Sequence, residues 1–225
     1  MEPQPIIDSH VHLFPLGDAN AENHAWMATL PAMLKKHDIE DYVKVSAREN
    51  ADYDVKGVVF VEVDRNVNPL AEKVEDWAWG PLKELRYLKQ VVEGENGDLI
   101  RAIVPWAPVD RGIEGLNMYL KVAQREAGEK AWSRVKGFRF LLQGVTQKED
   151  FKKLTDRDDF IDVLREFGDR EWAFDLGIDQ RRVGNWQLEE AIDIIERTHR
   201  GKPKQKKVTF ILSKCEYVWL SSLTY

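Results

Sequence analysis

One cysteine, Cys215, stands in 225 residues, so no disulfide can close within the chain and a reducing compartment is expected. No apolar run approaches transmembrane length. The opening Met1-Glu2-Pro3-Gln4-Pro5 lacks the apolar centre of a secretory signal. A cytoplasmic setting is therefore the expectation. Basic excess is also missing: 33 Lys and Arg face 39 Asp and Glu, a formal charge of -6. Spread along the chain, that balance argues against nucleic acid or an anionic membrane as partner and leaves a small molecule. The basic run Lys202-Pro203-Lys204-Gln205-Lys206-Lys207 reads as a solvated connector. No glycine-rich phosphate loop follows the first apolar strand, so the main signature of a dinucleotide-binding sheet is absent.

What is present begins at the front, with Ile6-Ile7-Asp8-Ser9-His10-Val11-His12-Leu13-Phe14-Pro15. In an extended strand Asp8, His10 and His12 share one face, and Ile7, Val11 and Leu13 share the other. Two imidazoles and a carboxylate on a buried strand need a partner, because burying polar groups unsatisfied costs free energy. A divalent metal or a polar substrate would satisfy them. A hydrogen-bonded histidine pair at a strand end is the structural alternative.

A composition 43% hydrophobic and 32% charged suits a globular domain of substantial size, and its pattern alternates strand with helix. After a polar stretch, a helical pattern covers residues 39–48. Gly57-Val58-Val59-Phe60-Val61-Glu62-Val63 is apolar enough for a strand covered on both faces. A helix from about Pro81 aligns Leu82, Leu85, Leu88 and Val92. The third strand spans 99–106, and its helix about 115–127. The fourth strand is Val135-Lys136-Gly137-Phe138-Arg139-Phe140-Leu141-Leu142, followed by a helix with Phe160, Val163, Leu164 and Phe167. Trp172-Ala173-Phe174-Asp175-Leu176 is the fifth strand. A helix with Leu188, Ala191, Ile192 and Ile195 on one face leads to the sixth, Val208-Thr209-Phe210-Ile211-Leu212.

Six strands separated by helices imply a parallel sheet. Polar groups cluster at the strands' C-terminal ends: His10 and His12, Glu62 and Asp64, Trp106, and Asp175, with Arg139 inside the fourth strand. That distribution favours a (β/α)₈ barrel over an open sheet. Two strand–helix units of a full barrel are unaccounted for. The expectation is an incomplete barrel-type domain over residues 1–212, followed by an atypical tail over 213–225.

The strand-one motif, with Gly57-Val58-Val59-Phe60-Val61-Glu62-Val63-Asp64-Arg65, Ile103-Val104-Pro105-Trp106-Ala107-Pro108, the fourth strand through Gln143, and Phe174-Asp175-Leu176-Gly177, resembles the amidohydrolase superfamily. Within it the chain is similar to the amidohydrolase-related branch of rhamnonolactonase-like sugar-lactone hydrolases. The resemblance runs from about residue 5 to 212. It implies a (β/α)₈ barrel and hydrolysis of lactones, amides or related esters; a sister branch decarboxylates acids. His10 and His12 match the strand-one pair that ligates a divalent metal in many members, while some lactone-cleaving members work without one. Asp175 stands where many members carry a histidine. Ser213-Lys214-Cys215 stands where the branch usually shows a histidine and a Cys-Lys-Pro-like turn. The family's strand-eight aspartate has no counterpart.

On this resemblance His10, His12 and Asp175 are the metal ligands, with Asp175 and His12 catalytic. Glu62, Trp106 and Arg139 are substrate-binding. Zinc or manganese, loosely held, would lower the pKa of a bound water and steady the developing oxyanion. Arg139 would hold a carboxylate or hydroxyl array. The plainer roles are an Asp175–Arg139 structural pair and a Glu62 that satisfies a neighbouring donor. His24 reads as a surface-loop residue, His37 as a cap and His199 as structural. The expected reaction is opening of a sugar lactone or related cyclic ester. The alternatives are metal-dependent decarboxylation by the same superfamily, or a truncated, inactive product. Open sheet edges, together with the apolar Tyr217-Val218-Trp219-Leu220, predict self-association.

Overall fold

The computed structural model describes residues 3–49 and 53–212. Ser213-Lys214-Cys215 and residues 217–220, on which the expectations for the tail rest, lie outside the described residues. Contacts divide the chain into two compact units that meet in sequence at Arg139 and Phe140.

In the first unit, β1 (Gln4–Val11), β2 (Tyr53–Val61) and β3 (Ile100–Val104) form a parallel sheet in that order. Helices α1 (Ile39–Glu49), α2 (Val74–Trp77), α3 (Trp79–Glu93) and α4 (Gly112–Trp132) fill the crossovers that parallel strands require. Val58, Phe60 and Val61 of β2 are buried, as are Leu82, Leu85, Leu88 and Val92 of α3. Each such side chain contributes about 1.5–3 kcal/mol on leaving water. Asp38 Oδ1 accepts the Asp41 N–H at 2.9 Å and so caps the start of α1. Past β3, Arg139 N–H donates to Pro105 O at 2.9 Å and Ala107 N–H to Arg139 O at 3.1 Å, which sets Arg139 beside Trp106.

The other sheet has the order β4 (Gly137–Leu141), a strand that the division between Arg139 and Phe140 cuts, β5 (Ala173–Gly177), β6 (Thr209–Ile211), with α5 (Lys148–Thr155), α6 (Asp158–Asp169), α7 (Gln180–Val183) and α8 (Trp186–His199) between them. Phe160, Val163, Leu164 and Phe167 of α6 are fully buried, and Phe167 stacks on Phe174 with centroids 5.9 Å apart. A side chain at Gly168 would strike the backbone of residues 206–208, so only glycine allows that approach. His199 is held through Nε2 to Val208 O at 3.0 Å.

The described residues thus form two three-stranded parallel sheets with eight α-helices, an α/β fold in which a closed barrel is not seen. Among them no helix is long and apolar enough to cross a membrane. Three local expectations are corrected. β1 ends at Val11, before His12, and its register against β2 shifts between Ile6 and Ile7 and between Asp8 and Val11. Such bulges break strict alternation, and Ile7 is 59% exposed rather than part of a buried face. On α8 the buried stripe is Gln187, Glu190, Ala191, Ile194 and Thr198, while Ile192 faces solvent. The polar members of the true stripe hid it from a purely apolar count. The short helix α5 was missed because only Phe151 and Thr155 are buried on it.

Candidate functional site

The bulged end of β1 brings the two strand-one imidazoles together. Their Nε2 atoms lie 3.2 Å apart, with rings nearly perpendicular at 84°. His12 Nδ1 lies 2.9 Å from Val61 O. A carbonyl only accepts, so Nδ1 carries the hydrogen and Nε2 of His12 presents a bare lone pair. Crowding by the surrounding protein lowers the His12 pKa to about 4, against the Val61 hydrogen bond and helped by His10 and Arg139. The residue keeps a solvent-exposed edge, yet it is neutral at pH 7.

Two bare nitrogens at that spacing would repel. Either His10 Nε2–H donates to His12, or a cation lies against both. Metal–nitrogen bonds of about 2.0–2.1 Å would place two adjacent ligands of one tetrahedral ion at this separation. The pair therefore fits two ligands of a metal site, with the carbonyl-anchored tautomer that such ligands use. Within the first unit no third His, Cys or carboxylate among the described residues joins them at ligand distance. Asp8 is engaged elsewhere: Oδ1 accepts from His10 N–H at 3.1 Å and Oδ2 from Tyr42 O–H at 3.0 Å.

Below the imidazoles, the end of β2 is held by side chains where strand partners run out. Glu62, 2% exposed, accepts the Asp64 N–H on Oε2 at 2.6 Å and has Oε1 3.7 Å from Arg139 Nε. Burial pushes its carboxyl up to about 8 despite Arg139. Glu84 Oε2 accepts the Val63 N–H at 3.1 Å, and burial raises Glu84 to about 7 against Arg65. Arg65 in turn lies 2.7 Å from Asp18 and 3.5 Å from Glu84. Glu62 thus accepts from a neighbouring backbone donor.

His24 corrects the expectation of a surface-loop residue. It is fully buried, its Nδ1 lies 3.0 Å from Val63 O, and its Nε2 meets no partner among the described residues. Burial, then the charge of Arg65, lowers its pKa to about 4. Trp26 Nε1 donates to the same carbonyl at 3.1 Å. Asn66 fastens this loop further by donating to Ala21 O and Glu22 O and accepting from Ala25 N–H. The sequence signal was there: Asn23-His24-Ala25-Trp26 places two rings in an otherwise polar stretch. His37 is paired through its backbone with Phe14 and stacks near that ring at 5.0 Å, a structural position rather than a simple helix cap.

Trp106 is half-buried and packs edge-on against Tyr119, centroids 5.3 Å apart, and Trp77, 6.2 Å. Arg139 is 2% exposed, so it points into the protein, and Glu62 is its ion-pair partner within the first unit. Asp175 lies in the second unit, 3% exposed, in register with Ile211 of β6. The second unit also gathers Asp156, Glu190 and Asp193 with ligand atoms within 4.8 Å of one another. Lys148 and Lys152 reach Glu190 at 3.2 Å, and Arg197 reaches Asp193 at 2.7 Å. Those acids already have their cations.

No family model matches the chain. Among curated proteins it is similar to the L-rhamnono-gamma-lactonase of Scheffersomyces stipitis, 30% identical over 209 residues, which cover 88% of this chain and 58% of that protein. The chain therefore spans under two thirds of that relative's length. Among solved structures, amidohydrolase 2 from Bifidobacterium longum subsp. infantis matches with a TM-score of 0.53 at 17% identity, over 90% of this chain and 66% of that one. An amidohydrolase from Burkholderia multivorans, solved with bound HEPES and with bound zinc, matches with a TM-score of 0.58 at 18% identity, over 85% of this chain. The share of that protein is 53% in the first form and 54% in the second. Identities this low speak for the fold alone.

Proposed function

We propose, from the premise that this chain is an amidohydrolase-related, lactonase-like protein, that its site serves the opening of a sugar lactone or a related cyclic ester by water. The observation that carries the reading is the convergence of His10 and His12 Nε2 at 3.2 Å with the His12 tautomer set by Val61 O. Two histidines whose lone pairs meet at the end of a parallel strand suit a divalent ion, zinc or manganese, that would supply a more acidic water and a positive charge for the oxyanion. Asp175 is proposed as the third ligand and as the acceptor of the water's proton. Closure of the two sheets into a (β/α)₈ barrel belongs to the same proposal. Arg139, anchored by Glu62, would orient the ester's oxygens, and Trp106 would flank the ring. With only two firm ligands the ion is held loosely.

A small-molecule substrate and a cytoplasmic setting complete the reading. Self-association is part of it too: β1 is the outer strand of its sheet, and Ile7 on it faces solvent. The test is ring opening of rhamnono-γ-lactone, followed by NMR, with zinc added and with chelator. Zinc-dependent opening that His12→Ala abolishes is expected. Opening unaffected by chelator and by His12→Ala would overturn the metal-assisted reading. A folded chain that binds lactone and opens none would be the inactive product instead.

A further inference from the structure

Among the described residues two that are not glycine have a left-handed backbone, Asp64 at φ 51° and Glu171 at φ 60°. Glu171 is explained by its helix. It follows α6, its N–H donates to Gly168 O at 3.1 Å, and Trp172 N–H donates to Phe167 O at 2.9 Å, the pattern that ends a helix. Asp64 has no helix to end. It follows a strand, where an L-residue adopts this conformation only if its surroundings impose it.

The surroundings do impose it. Glu62 holds the Asp64 N–H at 2.6 Å, Glu84 holds the Val63 N–H at 3.1 Å, and His24 and Trp26 both hold Val63 O. Two carboxyls and an imidazole are taken out of water to fix three consecutive backbone groups. A fold that needed only a turn would place glycine at this position, with no strain to oppose. The side chain so presented is solvent-exposed, three residues beyond the carbonyl that anchors His12. Glu62, which holds the Asp64 N–H, has its other carboxylate oxygen 3.7 Å from Arg139 Nε.

We propose that Asp64 is a substrate-binding residue, its carboxylate accepting hydrogen bonds from the hydroxyl groups of a polyhydroxylated ring, and that Glu62 is its positioning residue. The inference rests on the lactone reading and supplies that reading with a reason to prefer hydroxylated substrates. Strain kept at a binding position is a recurrent arrangement, and here it aims an acceptor that glycine could not provide.

The test compares the full chain with Asp64→Gly and Asp64→Asn, using rhamnono-γ-lactone as the probe and reading both affinity by NMR titration and the melting temperature. Glycine relieves the left-handed strain, and asparagine tolerates it while losing the charge. Both variants are expected to bind the lactone at least tenfold more weakly with melting temperatures unchanged or raised. Glu62→Gln is expected to weaken binding by a smaller factor. Wild-type affinity in the Asp64 variants would overturn the proposal, as would a loss of affinity that tracks a fall in melting temperature. A wild-type chain that binds no lactone would overturn it too. One that binds lactone but opens none contradicts the hydrolytic reading and leaves the role of Asp64 standing on the affinity comparison.

Discussion

In the first unit Glu62, Glu84, Asp18, Arg65 and Arg139 are drawn out of water around the end of β2, whereas in the second unit Asp156 and Asp193 stay partly exposed and the enclosed Glu190 is met by two exposed lysines, Lys148 and Lys152. Both clusters oppose carboxylates to cations. They differ in what the carboxylates do besides. In the second unit Lys148 and Lys152 reach Glu190 and Arg197 reaches Asp193, long side chains meeting acids that accept no strand-end N–H. The first-unit acids accept backbone N–H groups at Val63 and Asp64, so moving one moves the strand end. Burial converts a charge cluster from a solvated rim into a positioning device, and His12 is anchored to the same strand end through Val61 O.

The sharpest way to break this comparison is to delete one cation from each cluster. Arg65→Ala leaves Glu84 without its cation and Asp18 with Lys83 alone. It should cost about 3–5 kcal/mol in denaturant unfolding, because an uncompensated buried charge is left behind. Lys152→Ala, with a 43% exposed side chain, should cost under about 1 kcal/mol. Equal costs would mean that the two clusters are equivalent.

Smaller in size, but sharper in sign, is the pH dependence. Glu62 and Glu84 have folded pKa values of about 8 and about 7, above their ordinary value of 4.5. The folded state therefore holds more protons than the unfolded one, and stability is lost as pH rises from 4.5 through 8. His12 and His24, lowered from 6.5 to about 4, act oppositely: stability is lost as pH falls from 6.5 through 4. The two effects offset one another in the overlap, and above pH 6.5 only the carboxyls remain. Between pH 6.5 and 8 the protein should lose about 2 kcal/mol, a slope that Glu62→Gln reduces to the smaller part contributed by Glu84. A flat profile over that interval would show that Glu62 is ionised throughout.

Among the buried groups, the smallest effect expected is at His24. Replacing it with Phe removes its bond to Val63 O while keeping the ring, which should cost about 1–2 kcal/mol. Its companion Trp26 still holds the same carbonyl. A larger cost would mean that the orphan Nε2 has an essential partner.

Much of this was legible in residues. The apolar stripe of α3 and the near-continuous apolar run of β2 announce themselves by period, and His10-Val11-His12 by its polar content. The stripe of α8 was not legible, because Gln187, Glu190 and Thr198 are buried through polar contacts that no apolar count detects. The bulges in β1 were hidden for a different reason: register depends on the partner strand, which sits more than forty residues away. Asp64 could be seen as a polar strand end, but its left-handed backbone is fixed by Glu62, Glu84 and His24, groups brought together only by folding.

The account stands most directly on the imidazole pair. Titration of zinc into the chain, followed by the side-chain ¹⁵N resonances of its histidines, reads the ligating nitrogens one by one. The account predicts that Nε2 of both His10 and His12 shifts together, reaching its limit only with zinc in excess, with His24, His37 and His199 unchanged. Zinc that leaves both resonances in place, while binding elsewhere or not at all, would contradict it.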